Sequence, residues 1–390
     1  MNTQRKILIS IIILFIVVLV GLFFAYQSFI VGPKADDTQE TTTGSIVGTL
    51  FPDSGLFGEE RGDDIGVDGF IPKLRQISSV PTAGGVVFNV EENTIIRYIE
   101  RATGHIFETT DTSLEQNRIS NTTIPRIQKS MWYPSGDMVI LQYLDENETI
   151  KSFYGKVSSD VGTLEGWFLS NNITDIDVHE DGDILYVQKI GNGAKGFTSN
   201  FDGTESKTVF SSTINDWNIE WLGNSASITT RPSRGINGIV YLLQSSGYEK
   251  ILSTEGLITR ISPDGSKILL STSNTNETSL FVYDRDSEGA VEIPFRTLAE
   301  KCAWADNTTF FCASPYNEIN GIVPDDWHKS LLSFSDDIWS YNTETETAKL
   351  VYDAGADGKV FDAINLTIDG EQTMLIFTDK NNLTLWALSL

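Results

Sequence analysis

The sequence predicts an all-β fold, a seven-bladed β-propeller preceded by an N-terminal transmembrane helix, and three observations lead to this prediction. From residue 72 onward, short apolar or alternating runs are separated by Gly, Asn, Asp and Ser, which is typical of short strands joined by tight turns. These runs recur with a period of about 42 residues. A continuous apolar run stands near the N-terminus, before the repeats begin.

The repeat is defined by a strand, a polar turn with Gly or Asn, and a strongly apolar second strand. Gly and Asn suit these turns because they adopt positive φ at little cost. In chain order, the turn markers are Gly136, Gly182, Asn224, Gly265, Asn307 and Gly370. Successive markers are 46, 42, 41, 42 and 63 residues apart. A period of 40–45 residues with about four strands per repeat is typical of a propeller blade.

A seventh repeat and a closing strand lie at the start of the repeat region. Residues 78–110 supply the seventh unit, ahead of the first marker. Residues 71–79 (IPKLRQISS) precede this unit, whereas the last unit ends at its third strand, in NLTLWALSL. We therefore expect residues 71–79 to be the fourth strand of the last blade. Such closure removes an exposed sheet edge.

Two sets of segments resemble known propeller families. SPDG at 262–265, followed by SKILLSTSN, resembles the TolB-like and WD-repeat-like propellers, and YPSGDMVIL at 133–141 is a weaker copy. The segments KLRQIS, RYIERATGHIFE, KCAW, FFCASP and PDDWHKSLLSFSDDIW together resemble a group of single-pass, membrane-anchored propeller proteins of small-genome bacteria. The first resemblance covers roughly residues 72–390, and the second implies architecture and location without implying an activity.

The N-terminal region is predicted to anchor the chain. Residues 7–26 carry no charge, and a helix of this length spans a hydrocarbon core of roughly 30 Å. Arg5 and Lys6 precede the run, which places the N-terminus in the cytoplasm. A cleavable signal peptide is the alternative, although its apolar region is normally shorter and ends in a small-x-small site. We predict a cytoplasmic stub and signal anchor over 1–31, a flexible acidic linker over 32–70, and a propeller over 71–390 outside the cytoplasmic membrane.

Charge and motifs exclude several classes of function. The chain has 28 Lys and Arg against 53 Asp and Glu, a net charge of −25, which argues against nucleic acid as a partner. The sequence contains neither H-E-x-x-H nor G-x-S-x-G. GNGAKG at 191–196 matches a dinucleotide pattern but joins two strand-like runs, so a hairpin turn is expected there. We predict no cofactor and no metal.

The two cysteines are predicted to form a disulfide. Cys302 and Cys312 are equally far from the turn marker Asn307, so a hairpin centred there places them opposite each other. An even number of cysteines in an extracytoplasmic protein suits a bridge. Two buried free thiols are the alternative.

The sixth blade is predicted to carry an insertion between its second and third strands. This connection runs from residue 316 to 337, whereas residues 274–279 suffice in the fifth blade. Because strands alternate in direction, the insertion belongs to the face opposite the SPDG-type turns. Pro324 and Asp325 suit a helix start. Trp327, Leu331 and Phe334 then share one face of a short helix.

Two interpretations of the insertion remain open. It is either a lid packed on the propeller, with its last carboxylates capping the return to the strand, or a recognition surface with Trp327 as anchor and carboxylates for a cation or sugar hydroxyls. The candidate binding residues are Asp325, Asp326, Trp327, His328, Asp336 and Asp337.

The sequence therefore favours a binding or scaffolding module for an envelope protein or glycan partner, touching the membrane through its N-terminal helix. The alternative is a propeller lyase or hydrolase acting on polysaccharide or peptide at the channel mouth. Carboxylates and histidines converging on the channel favour the enzyme, and the scarcity of His favours the binding module.

Overall fold

Seven four-stranded antiparallel sheets make up the chain from residue 71 to its end. The structure is a computed structural model and describes residues 71–158, 162–244, 247–274 and 277–390. Six sheets use four consecutive strands, and the seventh combines the last three strands with the first. The predicted seven-bladed β-propeller is therefore confirmed.

The first four blades follow one another along the chain. Blade 1 contains β2 (Thr82–Val90), β3 (Asn93–Glu100), β4 (Ile106–Thr110) and β5 (Asn117–Ser120). Blade 2 contains β6 (Lys129–Trp132), β7 (Met138–Leu144), β8 (Ile150–Ser158) and β9 (Thr163–Phe168). Blade 3 contains β10 (Ile173–Val178), β11 (Ile184–Ile190), β12 (Gly193–Ser199) and β13 (Lys207–Ser212). Blade 4 contains β14 (Trp217–Leu222), β15 (Ser225–Thr230), β16 (Asn237–Gln244) and β17 (Gly247–Glu255).

The last three blades include two short helical turns. Blade 5 contains β18 (Ile258–Ile261), β19 (Lys267–Ser273), β20 (Thr278–Asp284) and β21 (Gly289–Glu292). Blade 6 contains β22 (Cys302–Trp304), β23 (Thr309–Pro315), β24 (Asp336–Asn342) and β25 (Thr347–Tyr352). Blade 7 contains β26 (Ala363–Ile368), β27 (Met374–Asp379), β28 (Leu385–Ser389) and β1 (Leu74–Gln76). A 3-10 turn, Ala299–Lys301, precedes β22, and a one-turn helix, α1 (Asp325–His328), lies in the insertion.

The predicted ring closure is confirmed. Strand β1 pairs antiparallel with β28, with Leu74 opposite Leu388 and Gln76 opposite Trp386. The Ser78 hydroxyl accepts a 2.8 Å hydrogen bond from the backbone N–H of Leu385. One blade therefore holds strands from both ends of the described chain.

The ring has two distinct faces. Connections from first to second and from third to fourth strands lie on one face, which we call the turn face. Connections from second to third strands and from each blade to the next lie on the other, the insertion face. The turn markers fall on the turn face, where Gly136 and Gly265 have φ of 70° and 72°. In blade 4 the positive φ belongs to Gly223, beside the marker Asn224.

The core lies between the blades. Each first strand contacts the first strands of both neighbouring blades, so these strands surround the ring axis. Second strands are the most buried, and Met374–Asp379 is buried at every position. One apolar cluster joins Ile140 of blade 2, Ile184 of blade 3 and Ile228 of blade 4. Each such side chain contributes about 1.5–3 kcal/mol through burial.

Two local predictions are also confirmed. Cys302 and Cys312 are register partners on β22 and β23 and form a disulfide with an S–S distance of 2.05 Å. Gly191 and Asn192 join β11 to β12 as a hairpin, with Ile190 opposite Gly193, so GNGAKG is a turn and opens no helix.

The predicted transmembrane helix and linker lie outside the described residues. Within the described part of the chain, none of the helices has the length and apolar character needed to cross a bilayer.

Candidate functional site

The insertion of blade 6 reaches over blade 5 to blade 4. Asp325 Oδ1 accepts a 2.9 Å hydrogen bond from the Ser233 hydroxyl, and its Oδ2 accepts a 2.8 Å bond from the Arg234 backbone N–H. The Arg234 guanidinium donates to the carbonyl oxygens of Gly321 at 3.2 Å and Asn274 at 2.7 Å. Burial alone would raise the pKa of Asp325. The hydrogen bonds that its carboxylate accepts from the Arg234 backbone N–H and the Ser233 hydroxyl outweigh burial, so the pKa lies below its usual value.

A pocket of about 470 Å³ opens where the insertion of blade 6 meets the β15–β16 connection of blade 4. Asp326 shapes one wall, since its Oδ2 accepts a 2.8 Å hydrogen bond from the Ile322 backbone N–H. The lining combines two carboxylates, two cations, a hydroxyl and one exposed aliphatic side chain. The lining residues are Ser233, Arg234, Ile322, Asp325, Asp326 and Lys329. Mixed charge and an apolar edge suit a polar partner that also presents an apolar group.

A buried ion cluster lies beneath the insertion. The Lys301 ammonium is 2.8 Å from Asp336 Oδ2 and also contacts Asp362 Oδ1. All three side chains are fully buried. Lys301 ends the 3-10 turn before β22, Asp336 begins β24, and Asp362 directly precedes β26. The cluster therefore joins the innermost strands of blades 6 and 7 to the strand that follows the insertion.

Aromatic rings and backbone donors complete this cluster. The Trp327 Nε1–H donates a 2.8 Å hydrogen bond to Asp362 Oδ2, and the Phe334 backbone N–H donates to the same oxygen at 3.0 Å. The Lys301 ammonium lies 5.3 Å from the Trp327 ring centroid and 5.0 Å from that of Phe334. Lys380 approaches the Trp327 ring to 4.6 Å. These contacts include cation–π attraction and hold the insertion onto the ring.

Within the described residues, Asp336 is the member of the cluster with incomplete hydrogen bonding. Its Oδ2 accepts a 2.8 Å hydrogen bond from the Ala363 backbone N–H, whereas its buried Oδ1 has no hydrogen-bond partner among the described residues. Burial raises the pKa of Asp336 to about 6, opposed by Lys301 and assisted by repulsion from Asp362. A buried carboxylate with one oxygen that accepts no hydrogen bond destabilises the fold, because its remaining interactions only partly offset the free-energy cost of desolvation.

The six candidate residues do not converge on one site. Two of them, Asp325 and Asp326, line the pocket, whereas Trp327 and Asp336 are buried in the Lys301 cluster. His328 Nε2 lies 2.6 Å from Glu300 Oε1 at the insertion edge. Asp337 is buried and accepts a 2.8 Å hydrogen bond from the Ala354 backbone N–H.

The insertion is shorter and less helical than the sequence predicts. It spans residues 316–335, and Asp336 and Asp337 belong to β24, so they do not cap a return loop. Helix α1 has a single turn because Ser330 adopts a positive φ of 57° just after it. Leu331 is consequently 75% exposed, and it does not share the buried face of Trp327 and Phe334.

A second set of ionisable groups lies between innermost strands. Glu220 of β14 accepts a 2.5 Å hydrogen bond from the Thr259 hydroxyl and lies 3.3 Å from the Arg260 guanidinium, both on β18. Asp177 of β10 accepts a 2.7 Å hydrogen bond from the Trp221 backbone N–H. Burial raises the pKa of Glu220 to about 7 and that of Asp177 to about 6, in each case against the opposing charge of Arg260.

Sequence reasoning missed Lys301, Asp362, Arg234 and the Glu220 group. The signal was faint: Lys301 and Asp362 each directly precede an innermost strand, a position visible only after the repeats are aligned. Within the described ranges, no group of three or more His, Cys, Asp or Glu is arranged to hold a metal ion.

Comparison with known proteins finds matches in structure but not in sequence. No protein-family model matches the chain, and no curated protein sequence matches it. The chain superposes on the β-propeller domain of the Trilobed protease from Pyrococcus furiosus with a TM-score of 0.54 and 10% identity, covering 79% of this chain and 92% of that one. Oligogalacturonate lyase from Vibrio parahaemolyticus gives 0.53 and 7%, with 81% and 93% covered. TolB from Acinetobacter baumannii gives 0.44 and 13%, with 68% and 61% covered.

The similarities to the Trilobed protease domain and to oligogalacturonate lyase establish the fold alone. The Trilobed protease domain is described as having an open velcro topology. Here, by contrast, β1 pairs with β28 within one blade. The described part of the chain is a seven-bladed β-propeller that is closed by its own first strand, β1.

Proposed function

We propose that this chain is a binding or scaffolding module whose recognition surface is the insertion face. The observation that carries the proposal is the bridge from blade 6 to blade 4, in which Asp325 binds Ser233 and Arg234 and encloses the mixed-charge pocket. Rigid scaffolds that position loops around a channel mouth commonly use those loops for recognition. The buried Lys301 cluster holds the bridging segment in place, which lowers the ordering cost of binding.

We further propose that this surface lies outside the cytoplasmic membrane. The predicted signal anchor and acidic linker support this location, because they would hold the propeller near an envelope partner. An envelope protein or glycan is the expected class of partner. The net charge of −25 disfavours nucleic acid.

Site-specific photo-crosslinking in the native membrane tests the proposal. A photoreactive residue would replace Ile322, which is 51% exposed on the insertion, in the full-length chain. The matched control would replace Val90, which is 50% exposed and ends β2 on the turn face. We expect discrete adducts from position 322 and none from position 90. Equal labelling from both positions, or none from 322, would contradict an insertion-face binding site.

An enzyme is the second candidate function, and the Glu220 group favours it. A carboxylate with a pKa of about 7, beside Arg260 and near a second carboxylate of pKa about 6, is suited to moving a proton near neutral pH. The reaction would be lytic or hydrolytic cleavage of a polysaccharide or peptide. Turnover in a substrate screen that falls about 100-fold or more in Glu220→Gln, but not in Ile322→Glu, would support it. Turnover unaffected by Glu220→Gln would exclude Glu220 as the acid or base.

A further inference from the structure

The two faces of the ring differ strongly in charge. Among the described residues, turn-face loops carry eighteen Asp and Glu and one basic residue, Arg285. Described insertion-face loops carry twelve Asp and Glu and nine Lys and Arg. The excess of acid in the loops therefore lies almost entirely on the turn face, and the insertion face has nearly balanced charge.

Exposed apolar side chains follow the same division. Seven large apolar residues of the described insertion-face loops are exposed, whereas Leu114 is the one such residue in the described turn-face loops. The seven are Val80, Ile214, Ile236, Tyr316, Ile322, Leu331 and Val360. Ile236 and Leu331 are 60% and 75% exposed. They flank the pocket, since Ile236 bonds to Ser233 and Leu331 to Asp326 through the backbone. Ile236, Ile322 and Leu331 therefore place exposed apolar groups around one pocket, as expected of an interaction surface.

Strand β1, the first strand of the described residues, begins at the turn face. Strand β1 runs antiparallel to β28, whose last residues lie on the turn face, and the Ser389 N–H donates a 2.8 Å hydrogen bond to the Lys73 carbonyl. Residue 71 therefore lies at the turn face. The start of the described chain therefore does not cover the exposed apolar residues of the insertion face.

We propose that a second copy of this chain docks on the insertion face, so that two propellers associate face to face about a two-fold axis. This proposal deepens the proposed function and rests on it, since it names the partner of the same surface. Two chains of net charge −25 repel each other, and the repulsion is smallest where acids and bases are balanced. A two-fold axis brings like patches together, so an apolar surface of mixed charge is complementary to itself.

Other partners fit the two faces less well. A strongly basic partner would be drawn to the turn face, where acids outnumber bases eighteen to one in the described loops. An anionic glycan or membrane gains little from a face on which acids still outnumber bases. Face-to-face docking also keeps the two acidic turn faces at the outside of the assembly, at the largest separation.

The test measures the mass of the full-length chain in detergent by sedimentation velocity, with the double variant Ile322→Glu plus Leu331→Glu. The matched control is Val90→Glu plus Leu114→Glu, two exposed turn-face positions. We expect a dimer for the parent chain and the control, and dimerisation at least about tenfold weaker for the insertion-face variant. Higher salt should strengthen the dimer by screening net repulsion. All substituted side chains are at least half exposed, and equal melting temperatures verify folding.

A monomeric parent chain, or a dimer that persists in the insertion-face variant, would overturn the proposal. The second result would assign association to another part of the chain. The photo-crosslink at position 322 separates failure of this proposal from failure of the proposed function. An adduct of twice the chain mass supports the second copy. An adduct of another mass from a monomeric chain overturns the second copy but retains the binding surface, and no adduct from a monomeric chain overturns both.

Discussion

The indole of Trp327 and the carboxylate of Asp362 are joined by a 2.8 Å hydrogen bond that links the insertion of blade 6 to blade 7. Asp362 directly precedes β26, an innermost strand, and its other oxygen contacts Lys301 of blade 6. The surface segment is thus bonded to the ring itself through a fully buried carboxylate. The attachment of the insertion to the ring therefore depends on this buried hydrogen bond.

Trp327→Phe should destabilise the protein by about 1–3 kcal/mol, because it keeps a ring but removes the donor to a buried carboxylate. Trp167→Phe is the matched control. The Trp167 Nε1–H also donates to an oxygen, the Asp202 carbonyl at 3.0 Å, but its side chain is 49% exposed. That loss should be within about 0.5 kcal/mol. Urea unfolding measures the stability of both variants. Equal losses of stability would show that the buried Trp327 hydrogen bond contributes no more than the exposed Trp167 bond.

Lys301→Met should cost about 3–5 kcal/mol, since it leaves Asp336 and Asp362 buried without a cation. Adding Asp336→Asn and Asp362→Asn to this variant should recover much of the loss. Lys129→Met is the control, because the Lys129 side chain is 57% exposed in its 3.6 Å ion pair with Asp175, and pairs formed by a solvent-exposed cation contribute about 0–1 kcal/mol. Denaturant unfolding of the parent, Lys301→Met, the triple variant and Lys129→Met measures these losses of stability. No recovery in the triple variant would mean that packing, and not charge, accounts for the loss.

Asp336→Asn should change how stability depends on pH. The pKa of Asp336 is raised from an ordinary value of 3.8 to about 6, so the folded protein binds the proton more tightly than the unfolded chain. The tighter proton binding of the folded protein adds to its free energy of unfolding. This stabilisation is present below pH about 4 and is lost as pH rises through about 6. Asn at position 336 does not titrate, so the variant does not lose this stabilisation as pH rises. Its stability relative to the parent should therefore rise between pH 4 and 7, on the order of 3 kcal/mol for two pKa units.

Asp145→Asn provides a control of opposite sign for this pH experiment. A hydrogen bond from the Thr149 backbone N–H lowers the pKa of Asp145, with further help from Asn147 and Lys151. Its contribution is present at neutral pH and is lost as pH falls below the ordinary pKa. Relative to the parent, Asp145→Asn should be less stable at pH 7 and should converge with it in acid. Parallel pH profiles for the two variants would refute the assignment of Asp336.

Reduction of the Cys302–Cys312 disulfide should lower stability by about 2–3 kcal/mol. The two cysteines are separated by 10 residues, and a bridge over a short loop removes a modest amount of unfolded-chain entropy. The parent chain should melt earlier in the presence of reductant, whereas the Cys302→Ala, Cys312→Ala double variant should melt at the lower temperature regardless of reductant. A parent chain that is insensitive to a reductant shown to break the bridge would contradict this prediction.

Deleting residues 383–390 should give insoluble or unfolded protein. The deletion removes β28, on which β1 pairs, and so opens blade 7 and exposes β27. Arg75 of β1 also donates to the carbonyl oxygens of Thr110 and Ser113 in blade 1. The closing strand therefore supports its neighbour as well. Unchanged thermal melting of the truncated chain would show that closure is dispensable.

Several features of this fold were predictable because they depend on local chemistry. The markers Gly136, Gly182 and Gly265 have the positive φ that tight turns need, and the marker spacing together with the unit at 78–110 predicts seven blades. The Cys302–Cys312 pairing followed from symmetry about one turn. The face of the insertion followed from strand alternation. Each of these depends on residues close together in sequence.

The candidate site was only partly predictable, because it depends on residues far apart in sequence. Asp325 meets Ser233 and Arg234, which are 92 and 91 positions away. Nothing in the local sequence distinguishes them from other loop residues. The predicted face of Trp327, Leu331 and Phe334 failed at Leu331, because the positive φ of Ser330 ends the helix after one turn.

The sequence by itself determined the number of blades, the strand that closes the ring, the disulfide, and which face carries the long connection. These follow from period, symmetry and the alternation of strands. Only the tertiary structure decided that the six candidate residues separate, with Asp325 and Asp326 at a pocket and Asp336 in a buried ion cluster. The physical reason is that a charge is stabilised by its neighbours in space. The partners of Asp325 and Asp336 come from other blades or from distant parts of the same blade, and only folding brings them together.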